Sequence, residues 1–388
     1  MKSSLRFWLG SSLVLCLGLV LIAWGYSHWY LNTYTQVVAD RILLLNELRK
    51  GALEQYFATA EAELSFWNTN ANIVAAQEKF TELWHREDPL ALAKQIRQSF
   101  LGDRNIPTGQ HSIPDDAEGN SSYSTLHGQI HPIAKLFVSE RGYYDMFLIG
   151  SEGDIYYTVE KEADFASNLK TGQWRNTHLA SIYRRAMLKP DSVVISDMQA
   201  YAPSAGAPAI FMAKAIIASA GDIIGVIAFQ LPTARILNIM NYTGGMRETG
   251  ETYLVGQDRL MRSDSRFSDT STVLQQRVDT TTANKALSGQ HGIEFTQDYR
   301  GVEVLSAYSS FTLDKTSWAV MAEIDREEIS AIAAGERPAL SGILAFIFGL
   351  SLWSIWYWQG RPLAGESTEL ARFDLENSDF HDGPNLSG

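Results

Sequence analysis

Apolar residues recur along the chain with different periods, and each period predicts a different kind of element. Residues 7–30 and 339–358 carry no formal charge and are apolar on every side, so each run predicts a helix able to cross a bilayer core of about 30 Å. From residue 36 to about 94, apolar positions are spaced by three and four residues, which predicts a long amphipathic helical region. Its apolar stripe comprises Ile42, Leu45, Leu48, Leu53, Tyr56, Phe57, Ala60 and Leu64.

Beyond residue 100 the pattern changes to short apolar runs separated by turn residues. Residues 101–122 are rich in Gly, Pro, Asp and Asn and predict a loop. A first mixed segment then predicts a hairpin over 146–159, a helix over 174–187, and strands at 192–195, 209–217 and 223–231. A second segment predicts a hairpin over 252–265, a helical piece near 278–287, and strands at 292–299, 302–308 and 317–324.

The two mixed segments follow one plan, in which a hairpin and a helical insertion precede three strands. Phe147 and Tyr253 occupy equivalent places in the two segments, about 106 residues apart. The expected fold class is therefore α+β, with a long N-terminal helix, two tandem antiparallel-sheet modules and two flanking transmembrane helices. The expected segments are residues 1–6, 7–30 (first span), 31–100 (long helix), 101–240 (distal module), 241–333 (proximal module), 339–358 (second span) and 359–388 (tail).

The charges that flank the first apolar run predict the topology. Lys2 and Arg6 precede it, so the positive-inside rule places the N-terminus in the cytoplasm. Bulky aromatic residues follow it where a cleaved signal peptide needs small ones, which favours an uncleaved anchor. Two spans would return the tail to the cytoplasm and leave residues 31–333 outside the membrane, in the periplasm of a bacterial inner-membrane protein.

Composition and motifs exclude several classes of function. A formal net charge of −12 argues against nucleic-acid binding, which needs a basic face. The single cysteine, Cys16, excludes an intrachain disulfide and a multi-cysteine zinc site. No catalytic constellation and no cofactor motif emerges, so we expect neither an enzyme nor a cofactor. Residues 245–256 fail as a phosphate loop because they lead into a strand; Gly250 is expected to permit a tight approach into the second hairpin.

Four strings carry a resemblance to a known family. They are "HPIAKLFVSERGYYDMFLIGSEGDIYYTVEKEADFASNL", "SDMQAYAPSAGAPAIFMAKAI", "GVIAFQLP" and "GMRETGETYLVGQDRLMRSDSRF". With the long helix, they resemble the double Cache (dCache) periplasmic sensor domain of bacterial chemotaxis transducers, sensor kinases and cyclases over about residues 31–333. The resemblance implies two PAS-like modules, a small-molecule ligand in the distal module, relay through the proximal module, and a homodimer through the long helix.

Polar and aromatic residues of the distal module are the candidates for ligand binding. Strand alternation would turn about half of them toward a pocket. They are Tyr144, Asp145, Tyr157, Trp174, Tyr183, Asp197, Tyr201 and Gln230, of which Asp197 is the preferred one, with turn capping as the alternative. The amino-acid-binding subset of the family uses an Arg-x-Trp-Tyr element and an Asp on the last distal strand. Here Ala180, Ile182 and Gln230 stand at those places, which argues against amino-acid sensing.

Two further groups have structural and functional interpretations. His127 and His131 are spaced i, i+4, which could bind a metal but more readily serves capping or packing beside Pro132. Arg262, Asp264 and Arg266 could form a buried ionic cluster or a minor ligand site, and the structural role is favoured.

The sequence thus predicts a two-span sensory receptor. Only thirty residues follow the second apolar run, and they resemble neither the HAMP helices nor the output domains usual in such receptors. We therefore expect a separately encoded cytoplasmic or membrane signalling partner. The alternative is a structural membrane protein that docks a periplasmic protein and has no small-molecule ligand.

Overall fold

The amphipathic region begins inside one long helix. A computed structural model describes residues 2–102, 121–335 and 337–359, and its first element, α1 (Lys2–Trp67), runs for 66 residues. The predicted stripe is buried at Ile42, Leu53 and Leu64, among others, but Leu48 is 58% exposed. Asn46 is buried in that part of the helix instead. The predicted loop at 101–122 and the tail lie almost wholly outside the described residues.

The internal contacts divide the chain into two units, Met1–Thr35 with Ser330–Gly388, and Gln36–Ile329. Among the described residues, one helix is long and apolar enough to cross a membrane, and it begins at Val14 within α1. The apolar part of the last helix, Gly342–Trp353, is shorter. The second predicted span therefore stays a prediction.

Three helices follow α1 and form a layer of the distal module. They are α2 (Ala71–Arg86), α3 (Pro89–Leu101) and α4 (Ser122–Arg141). Each begins at a polar side chain that accepts a hydrogen bond from the first turn, namely Asn70, Asp88 and Ser121. Their apolar faces supply Phe80, Trp84 and other residues to the larger hydrophobic core of this unit.

The first sheet confirms the predicted hairpin and the three closing strands. Its strands are β1 (Asp145–Gly150), β2 (Ile155–Thr158), β3 (Val194–Ile195), β4 (Gln199–Tyr201), β5 (Ala207–Ile217) and β6 (Ile223–Leu231). The order is β2-β1-β6-β5-β3, with β4 also on β5. Helix α5 (His178–Leu188) covers one face, and α2 and α4 pack toward the other. Strand β4 was missed because it has only three residues, two of them exposed.

The second sheet confirms the repeat of the plan but not its hairpin. After α6 (Thr233–Met240) come β7 (Glu251–Val255), α7 (Thr281–Leu287), β8 (Gly292–Gln297), β9 (Glu303–Leu313) and β10 (Thr316–Asp325), in the order β7-β10-β9-β8. The predicted second arm of the hairpin is not a regular strand. Beyond β7 the chain turns back and pairs only through isolated bridges, Val255 with Met261 and Leu260 with Arg277. Helices α8 (Arg326–Gly335) and α9 (Arg337–Gln359) follow.

Side-chain amides on the helices satisfy strand carbonyls. Gln77 of α2 donates to the carbonyls of Ile149 and Ile224, both at 3.1 Å, beside a register irregularity of β1. The residue after Ile224 is Gly225, and a Cβ at that position would lie only 2.1 Å from Gln77 Nε2. In the same way Asn46 of α1 donates to the carbonyls of two strands of the second sheet, so both modules hold the helical layer by buried hydrogen bonds.

Candidate functional site

A row of three residues crosses the central strands of the first sheet near one end, on the face covered by α5. Asp145 of β1 pairs in register with Gln230 of β6, which pairs with Phe211 of β5. Because directly opposed residues of antiparallel strands share a face, the three side chains are neighbours. All three are buried.

The segment that follows β2 brings acidic side chains to this row. Lys161 and Ala166 adopt left-handed backbone conformations, at φ 49° and 53°, which fold residues 159–166 back over the sheet. Arg97 of α3 holds this segment in place by donating hydrogen bonds to the carbonyls of Ala163 and Phe165, at 3.0 and 2.7 Å. The same segment is also bound to the sheet, because the backbone nitrogen of Val159 donates a hydrogen bond to Asp145 Oδ1 at 2.7 Å.

Hydroxyl groups from the sheet and from the 3₁₀ turn after β4 hold these acids. Tyr201 donates to Asp164 Oδ2 at 2.5 Å. Tyr144 donates to Glu162 Oε1 at 2.5 Å, and Ser204 donates to Oε2 of the same carboxylate. Glu162 and Asp164 are therefore anchored above the row of the sheet. Together with the row and with His178 they form what we call the distal cluster: Tyr144, Asp145, Glu162, Asp164, His178, Tyr201, Ser204, Phe211 and Gln230.

Three buried polar atoms of the distal cluster have no hydrogen-bond partner in the described part of the chain. They are Asp164 Oδ1, His178 Nε2 and Gln230 Oε1, on residues 1%, 8% and 3% exposed. The rings of His178, Tyr201 and Phe211 lie around them, with centroids 4.7 to 5.2 Å apart. Buried polar atoms are almost always paired, so these three unpartnered atoms make the distal cluster the candidate site for a ligand.

Burial dominates the electrostatics of the cluster. It raises the pKa of Asp164 to about 7, an effect that the hydrogen bond from Tyr201 opposes. It raises the pKa of Asp145 as well, and the neighbouring Glu160 and Asp164 add to the shift. It lowers the pKa of His178 to about 4, so this imidazole is neutral. The cluster therefore holds acids that resist ionisation and a histidine that resists protonation.

The predicted site residues divide into members and non-members of the cluster. Tyr144, Asp145, Tyr201 and Gln230 belong to it, and Trp174 borders it by donating to the carbonyl of Ala163 at 3.2 Å. Two others do not join it. Tyr183 donates to the carbonyl of Ser151, whereas Tyr157 packs in the core of the opposite face and contacts His131 Nδ1 at 2.8 Å.

Asp197, the preferred candidate, lies outside the cluster. Its carboxylate accepts from Arg262 Nε at 3.2 Å and Nη2 at 2.8 Å, and from Trp318 Nε1 at 2.7 Å. Both donors belong to the second module, so Asp197 links the two modules. Arg262 is fully buried and also meets Asp258. Of the ionic cluster predicted from Arg262, Asp264 and Arg266, only Arg262 is buried in ion pairs, and its partners are Asp197 and Asp258; Asp264 and Arg266 bind neighbouring loop and backbone groups instead.

Sequence reasoning missed Glu162, Asp164, His178, Ser204 and Phe211. The acids lie in a segment with no regular period, and only its left-handed turns fold it onto the sheet. His178 is the first residue of α5, after the N-cap Thr177. The "EKEAD" string gave no signal of a site, because a run of charged residues between strands is typical of a solvated loop.

The paired histidines serve packing. His127 and His131 of α4 are buried, with rings stacked at a centroid distance of 4.5 Å. Phe100 and Tyr157 lie against His127. Across the described ranges, no three His, Cys, Asp or Glu side chains come together as metal ligands.

The second module has two polar residues in the places that Asp145 and Gln230 occupy in the first. Glu251, the first residue of β7, pairs in register with Glu323 of β10, just as Asp145 at the start of β1 pairs with Gln230. Here the carboxylates are fully bonded. Glu323 accepts from Tyr253 at 2.9 Å and Ser306 at 2.7 Å, and Glu251 accepts from Tyr299 at 2.9 Å.

We expect Glu323 to make the stability of the fold depend on pH. Burial raises its pKa from 4.5 to about 7, so between these values the unfolded chain releases a proton that the folded chain keeps. The contribution of Glu323 to stability is therefore greatest below pH 4.5 and falls as the pH rises to about 7, by up to about 3 kcal/mol. Glu323→Gln stays neutral, so its free energy of unfolding should fall less over this range in urea titrations.

Glu303→Gln is the matched control, because Glu303 is a half-exposed partner of Arg326. Its unfolding free energy should follow the pH dependence of the unaltered protein. Equal pH slopes for Glu323→Gln and Glu303→Gln would contradict the assignment.

Comparison with known proteins agrees with this architecture. The family model described as the Cache domain, in its dCache form, matches residues 32–333. This is well over half of the chain, so the chain belongs to the Cache domain family. The resemblance seen in the sequence is confirmed. A search of the curated proteins found no match.

Similar solved structures are sensory domains of bacterial chemoreceptors. The sensory domain of Campylobacter jejuni Tlp3 is 15% identical, with 78% of this chain and 98% of that chain covered and a TM-score of 0.47. The ligand-binding domain of Pseudomonas fluorescens CtaA, in complex with L-isoleucine, is 11% identical, with 78% and 98% covered and a TM-score of 0.43. That of Pseudomonas aeruginosa PctB, in complex with L-Arg, is 11% identical, with 76% and 97% covered and a TM-score of 0.41.

Proposed function

We propose that this protein is a sensory receptor of the bacterial inner membrane that binds a small extracytoplasmic ligand in the distal cluster. The observation that carries the proposal is the convergence of Asp164 Oδ1, His178 Nε2 and Gln230 Oε1, buried and unpartnered in the described chain. A purely structural core would leave few such atoms in one place. Membership of the Cache domain family supports the same role.

The segment at residues 194–201 would carry the signal from the cluster to the second module. Tyr201 at its end contacts Asp164, and Asp197 within it binds Arg262. The backbone nitrogen of Ile195 donates to Asp314 of the second module at 3.1 Å. A shift of Tyr201 on ligand binding would therefore move groups that the second module holds directly.

Two membrane spans, a periplasmic sensor and a homodimer complete the proposal. Helix α1 exposes Val37, Leu44 and Leu48, each 58–60% accessible, at spacings of seven and four residues. Such a stripe suits packing against the same helix of a second copy. Transmission through the spans would then act on a cytoplasmic or membrane signalling partner.

A metabolite screen tests the receptor function. We expect at least one compound to raise the thermal unfolding midpoint of the full chain in detergent, because a ligand that binds only the folded state stabilises it. Gln230→Leu should abolish that rise, whereas Glu152→Gln, at an exposed position of the first hairpin, should keep it. No hit, together with stable capture of a periplasmic protein, would favour the docking alternative.

A further inference from the structure

The three unpartnered atoms of the distal cluster can act as hydrogen-bond acceptors for a ligand. Gln230 Oε1 is an acceptor oxygen, and Asp164 Oδ1 is one when its carboxyl group is ionised. His178 is neutral, and its hydrogen bond to the backbone of Ala209 raises its pKa, which is the effect of a ring N–H that donates to a carbonyl. A neutral imidazole that donates through one nitrogen accepts through the other, so Nε2 is an acceptor too. A ligand that forms hydrogen bonds with all three atoms must therefore carry hydrogen-bond donors.

The charges around these atoms favour a cation. Asp145, Glu160, Glu162 and Asp164 form an acidic group at one end of the sheet, and their mutual influence is part of what raises the pKa values of Asp145 and Asp164. A positively charged guest would meet opposite charges in a setting of low dielectric, where such contacts are strong.

The two basic side chains nearby are engaged elsewhere. Arg97 Nη1 donates to the carbonyls of Ala163 and Phe165. The Lys161 ammonium lies over the rings of Phe100 and Tyr157, at 5.5 and 5.9 Å from their centroids, in the core of the opposite face. Both side chains thus have other partners, and Arg97 is the smallest of the influences on the pKa of Asp164, so a carboxylate on the ligand would meet mainly acidic side chains.

We propose that the distal cluster binds a small organic ammonium ion, a primary amine without a carboxylate, whose N–H groups are received by Asp164, Gln230 and His178. The aromatic rings of Tyr201 and Phe211 contact its apolar part. This inference rests on the proposed receptor function and specifies the ligand of the same site.

Three pairs of compounds test the inference on the full chain in detergent. Ethanolamine, putrescine and phenethylamine are compared by calorimetry with ethylene glycol, 1,4-butanediol and 2-phenylethanol, which replace each amine by a hydroxyl, and with succinate as an anion. We expect at least one amine to bind while its alcohol and succinate do not. Asp164→Asn, which removes the charge at nearly the same size, should weaken that binding about tenfold or more. Glu152→Gln should leave it unchanged.

The pH dependence gives an independent readout. A cation needs Asp164 ionised, so the affinity of the unaltered protein should rise between about pH 6 and about pH 8, with a proton released on binding. Asp145, Glu160, Glu162, Arg97, Tyr201 and His178 are the other titratable groups that face Asp164. Because the pH slope is assigned to Asp164, it should flatten in Asp164→Asn while Glu152→Gln keeps it.

The possible results test the ammonium ligand and the receptor function separately. An alcohol or succinate that binds as well as its amine, an amine whose affinity is unchanged in Asp164→Asn, or no binding of any amine overturns the ammonium ligand. If a neutral or anionic metabolite then binds and Gln230→Leu abolishes its binding, the receptor function stands and only the ligand class is wrong. If no compound of any class binds, both proposals fail.

Discussion

Replacing Arg262 by Met should destabilise the folded protein by about 3 kcal/mol, because it removes a fully buried guanidinium and leaves the partly buried carboxylate of Asp197 without its charged partner. The Arg262 side chain is fully buried and meets Asp197 through two hydrogen bonds. Met fills similar space but cannot donate, so Asp197 would keep Trp318 as its remaining side-chain donor. The free energy of unfolding from urea titration of the full chain in detergent measures the loss.

Arg259 provides the matched control for this prediction. It lies three residues earlier and pairs with Asp279, but both side chains are more than two-fifths exposed. Exposed ion pairs contribute about 0–1 kcal/mol, so Arg259→Met should change stability little. An equal effect of the two substitutions would show that the contact between the modules is not strongly stabilising.

A double substitution separates the charge from the packing. Asp197→Asn in the Arg262→Met background removes the uncompensated carboxylate, so it should recover part of the lost stability. The same change in the unaltered protein should destabilise it. If Asp197→Asn is equally harmful in both backgrounds, the two side chains are not coupled.

Gly250→Ala should be the second strongly destabilising substitution. A Cβ at this position would lie 1.9 Å from the carbonyl oxygen of Met246, and a backbone atom cannot move aside as a flexible side chain can. Gly250 directly precedes β7, so relief of the clash would displace Glu251 and its pairing with Glu323. We expect a loss of about 3 kcal/mol or more, measured as a lower thermal unfolding midpoint and a smaller free energy of unfolding.

Gly51→Ala is the control with the opposite sign. Gly51 lies within α1, it is exposed, and a Cβ there would meet nothing within 4 Å. Because Ala favours an exposed helix interior over Gly by about 1 kcal/mol, this variant should be slightly more stable. A Gly250→Ala variant that unfolds at the midpoint of the unaltered protein would show that the chain before β7 relaxes freely.

Much of the architecture could be predicted from the sequence because it follows from local periodicity. The three-to-four spacing predicted the helical region, and alternation with turn residues predicted most strands and the module repeat. Leu48 was placed in the buried stripe because its spacing allows it. The structure buries Asn46 instead, since its amide reaches the carbonyls of Ala307 and Val320, and no period can anticipate such a long-range bond.

The site could be predicted only in part, for the same reason. Tyr144, Asp145, Tyr201 and Gln230 were candidates because polar and aromatic residues in or beside buried strands are conspicuous, and the structure places these four together in the distal cluster. The departures at Ala180, Ile182 and Gln230 suggested that no acid was available to hold an ammonium group. In the structure, Asp145 lies beside Gln230 on the adjacent strand, and Asp164 reaches the cluster through two left-handed turns.

The sequence by itself determined most of the elements, the module repeat, the family and the apolar segments, because each depends on the spacing and type of residues close together in the chain. Tertiary structure alone decided which polar groups meet. It paired Asp197 with Arg262 and Trp318 of the other module, and it brought Asp164, His178 and Gln230 together from segments far apart in the chain. The physical reason is that a buried polar group must find a partner wherever the fold brings one, at any separation along the chain.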